Sequence, residues 1–335
     1  MTEIISRIHG TGGRSTHELI SKIFHSYLKN PNLSSHDAAI CRMGSEEFLV
    51  TTDCHVVEPL FFPGGDIGKM AVTGVINDLL TQGGRPQFMS LGFILEEGLA
   101  FETLRRVLES MKAVLAAHEI QLLCADTKVV PARNQNPGLM IASTLWGSRL
   151  HPDRKFSGPQ IGDAIISTSF IGAHGIAVLQ AREQLAFRGQ IESDCASLFP
   201  LLAPILTDNN LSIHFMRDPT RGGVAGISHE ICKEFEISIE LWEDALPLRP
   251  PVRAAMELLG LDVLEVPNEG VMILFVPPSS TEEILKILRI HTLGAGAAQI
   301  GEVQKQSGSK VTLRTRIGGN RKVPWTDALN FPRIC

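Results

Sequence analysis

The sequence predicts an α+β protein of two mixed α/β domains followed by a C-terminal tail. Three observations lead there. The 335 residues exceed what one ordinary core accommodates. Apolar residues at 44% and charged residues at 20% suffice to fill two cores and keep them in water. Short alternating runs and helical periodicities also follow one another through both halves of the chain.

In the first half, residues 47–52 alternate as a strand, and residues 69–81 carry Met70, Val72, Val75, Ile76 and Leu79 at helical spacing, with a glycine turn between them. Residues 87–95 read as a strand and 101–118 as a helix with Phe101, Leu104, Leu108, Met111, Val114 and Leu115 on its apolar face. Strands follow near 120–124 and 139–146. Residues 151–162 are polar, with two prolines and two glycines, and form the best linker. The expected organisation is therefore a domain at 1–155, a second at 156–317 and a tail at 318–335.

The second half predicts a strand at 163–168, helices at 176–187 and 193–206, and a helix opening at Gly222. Ser280 and Glu283 have capping-box spacing at the head of a helix over 280–289. A last strand pair lies near 298–303 and 310–315. Residues 318–335 contain two glycines, two prolines and no sustained period, and read as a tail hinged at Gly318-Gly319.

Thirty-one basic and 36 acidic residues, dispersed along the chain, give a net charge of −5 and disfavour nucleic-acid binding. The N-terminus has no basic leader, and the apolar run 271–276 is too short for a bilayer, so no membrane is expected and the predicted location is cytoplasmic. Six cysteines, at 41, 54, 124, 195, 232 and 335, form no CxxC pair. Five sit among apolar neighbours and read as core residues. Cys335 is the last residue.

The stretch 61–69, Phe-Phe-Pro-Gly-Gly-Asp-Ile-Gly-Lys, leads into a helix whose first amides would be free to receive phosphate oxygens. It is not a Walker A loop, since the spacing is one residue short and Met70 stands where a hydroxyl is needed. Taken alone, it fits a structural turn as well as a nucleotide site. Gly10-Thr-Gly-Gly13 lacks the third glycine of a dinucleotide fingerprint. Asp37, Asp53, Asp78 and Asp126 are isolated acids next to apolar strands or helices. Each alone is ordinarily a cap or turn residue, but four in one half suit Mg²⁺ bridged to nucleotide phosphates.

The motifs VEPLFFPGGDIG, INDL, ILEEG, DTKVV, MRDPTRGG, NEG and the terminal PRIC resemble, in order, those of the HypE family of nickel–iron hydrogenase maturation proteins, the carbamoyl dehydratases. The resemblance runs from about His9 to Cys335. It implies the PurM-like fold shared with aminoimidazole ribonucleotide synthetase, selenophosphate synthetase and thiamine-phosphate kinase, with homodimers joined through the N-terminal sheets. It implies ATP and Mg²⁺ as cofactors. Asp37, Asp53, Asp78 and Asp126 would hold metal and phosphates, and Gly64, Gly65, Asp66 and Asn77 would line the nucleotide site. Lys128 and Glu269 would act on a carbamoyl group carried by Cys335, as charge stabiliser and proton acceptor.

The implied reaction is ATP-dependent dehydration of an S-carboxamide to an S-cyanide, with HypF as carbamoyl donor and the HypC–HypD complex as acceptor. The chain departs from the family pattern at Ala125, at Ala173 beside His174, at Pro267 and over residues 80–84. Two alternatives stay open: another ATP-using enzyme of the same superfamily, or a maturation scaffold without turnover. The lack of a cysteine before position 41 weighs against selenophosphate chemistry.

Overall fold

The computed structural model describes residues 4–28, 36–133, 135–183, 185, 191–305, 308 and 310–327. At the N-terminus, α1 (Arg14–Leu19), a π-helical turn (Ile20–Phe24) and α2 (His25–Tyr27) follow one another directly. The first sheet is built from β1 (Ala39–Met43), β2 (Glu46–His55), β5 (Gly84–Glu96), β6 (Gln121–Val130) and β7 (Leu139–Arg149). Their order is β1-β2-β7-β5-β6, antiparallel except for the parallel β5–β6 pair. A small ribbon of β3 (Phe61–Phe62) and β4 (Gly65–Asp66) precedes α3 (Ile67–Leu80), and α4 (Phe101–Ala117) packs against α3.

α3 is apolar on nearly every side, with Ile67, Met70, Val72, Val75, Ile76, Leu79 and Leu80 buried. A helix of that kind must be covered all round. It is, by β2, β5 and β7 on one side and by α4 and α6 (Phe199–Thr207) on others. On α4 the apolar stripe is narrower than the periodicity predicts: Met111 and Val107 are buried, while Phe101 and Leu108 face solvent.

The second sheet runs in the order β14-β13-β10-β12-β8-β11-β9. Its strands are β8 (Ala164–Ser167), β9 (Phe215–Arg217), β10 (Ser238–Trp242), β11 (Ile273–Val276), β12 (Ala298–Gln304), β13 (Val311–Arg314) and β14 (Asn320–Lys322). Around it lie α5 (Ala173–Arg182), α7 (Gly223–Glu234), α8 (Pro250–Leu259) and α9 (Pro278–Ile290). One hydrophobic cluster, containing Leu49, Ile76 and Leu79 together with Ile176, Leu198 and Leu202, runs through both sheets' helices. A smaller one, around Phe275, Ile239 and Val224, lies under α7. Among the described residues, no helix is long and apolar enough to cross a membrane.

Several expectations need correction. The helix expected over 193–206 begins only at Phe199, because Ser193 and Cys195 are tied into a loop by Cys195 N–H donating to Ser193 Oγ at 3.0 Å. The helix expected over 176–187 is described to Arg182, and 186–190 lie outside the described residues. Ser280 is not a cap: Pro277 is the N-cap of α9, and Ser280 Oγ instead accepts the Ser212 N–H at 3.1 Å. The strands near 298 and 310 do not pair with each other, since β10 lies between them. Cys54 and Cys124 are exposed on the sheet, and among the described residues only Cys195 and Cys232 are buried cysteines.

The chain does not become a tail at Gly318-Gly319. A turn closes there through Thr315 N–H donating to Gly319 O at 2.7 Å, β14 pairs with β13, and Val323 is buried. Cys335 lies outside the described residues.

Candidate active site

Four carboxylates gather where the two sheets meet. Asp53 comes from β2, Asp78 from the last turn of α3, Asp37 from the segment entering β1, and Asp218 from the loop after β9. The Thr51 hydroxyl stands between two of these segments, 2.8 Å from Asp37 O and 3.1 Å from Asp78 Oδ2. Asp53 Oδ1 accepts the Cys54 N–H at 2.7 Å, and its Oδ2 is 3.5 Å from Nε2 of the buried His55.

Burial, then the charges of Asp218, Asp37 and Asp53, hold the Asp78 carboxyl well above the usual carboxylate range. Burial and then Asp37 push Asp218 in the same direction. Arg217 supplies the nearby positive charge. Its guanidinium is 3.3 Å from Asp37 and 3.1 Å from Glu230, and these acids raise its pKa further despite its burial. Arg221 adds a second positive charge nearby, and the acids still outnumber the cations.

Among the described residues, no three His, Cys, Asp or Glu side chains converge into a ready-made metal cage. That disagrees with a purely protein-built metal centre. It agrees with Mg²⁺, which keeps several waters, takes one or two carboxylates and completes its shell on substrate phosphates.

Asp126 is not part of this group. In the paired registers Asp126, Gly92, Ala142 and Cys54 form one row across the sheet, while Asp53, Ser143, Leu91 and Ala125 form the next. Neighbouring rows point to opposite faces, so Asp126 projects away from Asp53, three strand spacings or about 14 Å along the sheet. Its carboxylate, held low by a 2.5 Å hydrogen bond from Lys128, lies with that lysine on the exposed strand β6.

The glycine-rich stretch is also built differently from the expected phosphate loop. Asp66 is the N-cap of α3, and its Oδ1 accepts the Gly68 and Lys69 N–H groups at 2.8 and 3.1 Å and the Ser110 hydroxyl at 2.5 Å. The helix amides are thus already satisfied. A Cβ on Gly64 would stand 2.7 Å from the Ser193 backbone, and one on Gly65 would stand 2.8 Å from Phe62. Ser193 N–H donates to Pro63 O at 2.8 Å. The glycines therefore let the loop lie against residues 193–195.

Asn77 is 2% exposed and ties three segments together. Its Nδ2 donates to Ala196 O and Glu269 O, both at 3.0 Å, and its Oδ1 accepts the Leu198 N–H at 2.8 Å. Glu269 is 4% exposed, and its N–H donates to Asp194 Oδ1 at 3.2 Å. Burial pushes the Asp194 carboxyl up to about 6. Cys195, next to it, is raised to about 12 by burial and is inert at neutral pH. His174 is a packing residue with its Nδ1 2.8 Å from Ser193 Oγ and its ring edge-on to Phe62 at 5.3 Å.

The structure thus brings together Asp37, Asp53 and Asp78, and close behind them Asn77 and Glu269. It sets Asp126 and Lys128 apart and turns Gly64, Gly65 and Asp66 into bracing. Asp218 and Asp194 were missed from the sequence. Asp218 had a signal, the turn Arg-Asp-Pro-Thr-Arg-Gly-Gly that opens α7, whereas nothing local marks Asp194.

Two family models match the chain: AIR synthase related protein, N-terminal domain, over residues 35–148, and the corresponding C-terminal domain over 160–314. The carbamoyl dehydratase HypE of Bradyrhizobium diazoefficiens is 39% identical over 331 residues, covering 98% of this chain and 95% of that protein. A HypE solved in a HypE–HypF complex is 35% identical with a TM-score of 0.84, covering 92% of this chain and 99% of that one. A hydrogenase maturation protein HypE solved in complex with ATP is 37% identical with a TM-score of 0.80, covering 98% of each. With this likeness over nearly its whole length, and with the two-domain fold to match, the chain belongs to the HypE family of carbamoyl dehydratases.

Proposed function

We propose that this chain uses ATP and Mg²⁺ to dehydrate a carboxamide carried on the sulfur of Cys335, giving an S-cyanide for the iron of nickel–iron hydrogenase. The observation that carries the reading is the close group of a buried Asp218 and the half-buried Asp37, Asp53 and Asp78, whose mutual repulsion favours a bound cation and so a metal–phosphate substrate. These four would hold Mg²⁺ and the phosphates. The ion would offset charge on the transferring phosphoryl group. Gly64, Gly65, Asp66 and Asn77 shape the neighbouring wall by holding α3 against residues 193–198.

The carboxamide oxygen would take the γ-phosphoryl group as its bond to ADP breaks, and one N–H proton would pass to solvent, leaving an O-phosphorylated imidate. The second N–H proton goes to Glu269 as phosphate departs, and the C≡N bond forms. Glu269 suits the base because its backbone is gripped from both sides, by Asn77 and Asp194, which fixes where the carboxylate projects.

Asp126 and Lys128 enter this reading through a second copy of the chain. They lie on the exposed sheet face that also carries Phe88 and Ile94, an apolar surface suited to homodimer packing. HypF would supply the carbamoyl group and a HypC–HypD complex would receive the cyanide. A division into 1–155 for nucleotide and dimer and 156 onward for support fits this scheme once β14 is counted with the second domain, which leaves carriage to the residues beyond it.

Intact mass analysis of the C-terminal peptide tests it. After incubation with carbamoyl donor and Mg-ATP, Cys335 gains a carboxamide and then loses one water. Cys335→Ala keeps ATP binding and accepts no carbamoyl group, and Glu269→Gln stops at the carboxamide. Carbamoyl acceptance by Cys335→Ala, or undiminished cyanide formation by Glu269→Gln, would refute the corresponding role.

A further inference from the structure

The last described residues of the chain are held on several sides. Val323 N–H donates to Val311 O at 3.0 Å, and Val323 O is 3.0 Å from His229 Nε2. The Trp325 ring stacks on His229, with centroids 5.3 Å apart and planes at 4°, and leans on His17 at 5.4 Å. Thr326 Oγ1 donates to Glu265 Oε1 at 2.8 Å. Asp327 takes both donors of one residue at the head of α1: Ser15 N–H and Ser15 Oγ, each at 2.8 Å.

The Thr-Gly-Gly motif before α1 explains how the N-terminal segment fits there. A Cβ on Gly13 would stand 2.1 Å from Thr326 O, and one on Gly12 would stand 2.4 Å from Arg221 Cβ. Only glycines pass between the tail and the turn that follows Asp218.

We propose that Asp327 and Trp325, clasped by Ser15, His17 and His229, are positioning residues that fix the root of the tail and so set how often Cys335 meets the active site. This rests on the reading of Cys335 as the carrier. Contacts lead from Asp327 through Gly13 and Gly12 to Arg221, three residues from Asp218. That path bounds the distance from Asp327 to Asp218 at about 25 Å. Eight residues from Asp327 to Cys335 span at most about 26 Å, so the remaining link is long enough to reach the acids. Without the clasp the tether would start at Val323, which β13 still holds, and would grow by about half. Once a link is long enough to reach, the effective concentration of a tethered group falls roughly as the −3/2 power of length, a dilution of about twofold.

The test uses full-length protein carbamoylated on Cys335, in a Trp146→Phe, Trp242→Phe background so that Trp325 alone fluoresces. Asp327→Ala, and independently Ser15→Ala on the other side of the clasp, should shift Trp325 emission to the red as the ring enters water. Each should slow single-turnover cyanide formation about twofold, with ATP affinity unchanged. Trp325→Phe, which keeps a stacked ring, should convert at the parental rate. An unshifted spectrum in both clasp variants, a parental rate despite the shift, or a slowing in Trp325→Phe equal to that in Asp327→Ala overturns the clasp. Cys335→Ala run in parallel separates the two ideas, because carbamoyl acceptance by that variant removes the carrier itself whatever the clasp does.

Discussion

Asp66 and Asp78 belong to one helix, and their surroundings are opposites. Asp66, at the start of α3, receives two backbone N–H groups and a serine hydroxyl at the positive end of the helix dipole. Asp78, in the last turn, shares one threonine hydroxyl with a backbone carbonyl and faces three other acids. The first carboxylate is complete within the fold, and the second is left facing like charge. Counting the donors around an acid therefore separates structure from site more sharply than the acid's place in a motif does.

The widest gap between the two should appear in ligand binding. Asp78→Asn or Asp218→Asn should weaken Mg-dependent ATP binding on the order of 100-fold, since in the proposed site each would face the metal and phosphates. Asp66→Ala should leave that affinity unchanged. Calorimetry showing no loss in either of the first two variants would erase the distinction.

Asp126 offers the next test, since it lies with neither group. Two inactive variants, Asp78→Asn and Asp126→Asn, mixed and allowed to exchange subunits, should recover about a quarter of parental turnover if each site draws on both copies. Recovery indistinguishable from background would confine Asp126 to its own chain.

Stability should reverse the ranking. Asp66→Ala removes a helix cap and should cost about 1–2 kcal/mol in urea unfolding. Asp78→Asn, which relieves repulsion, should cost nothing or raise the midpoint in ligand-free protein.

The smallest effect is a pH dependence. Because Asp78 and Asp218 have folded-state pKa values raised above the ordinary carboxylate value, the folded state binds their protons more tightly than the unfolded chain. Their contribution is then fully present below about pH 4 and is lost as pH rises through the raised values. A bound cation removes the repulsion, so Mg-ATP should raise the melting temperature more at pH 8 than at pH 5. An equal gain at both values would show that these acids do not face the ligand.

Much of the fold was legible in the sequence because period and punctuation are local. α3 and α9 fall within a few residues of their expected bounds, each carried by apolar residues at helical spacing. Local pattern failed where a distant partner decides. Ser280 has the look of a cap, yet Ser212 takes its hydroxyl. Residues 318–323 have the composition of a tail, yet β13 offers them an open edge. Asp37, Asp53 and Asp78 were legible as a set, whereas Asp218 joins them only after the chain crosses to the second sheet. Asp126 looked equivalent in sequence, and its separation follows from strand register, in which a shift of one residue changes the face.

One consequence of the shared hydrophobic cluster concerns how the molecule melts and changes over time. Leu79 and Leu202 belong to the same packed interior although they come from helices in different halves of the chain. Neither half buries its share of this larger cluster without the other, so the two should unfold in a single cooperative transition. For the same reason a substitution on α3 is answerable to both halves at once. Exchange of one half between relatives should succeed only when the residues across that seam travel with it.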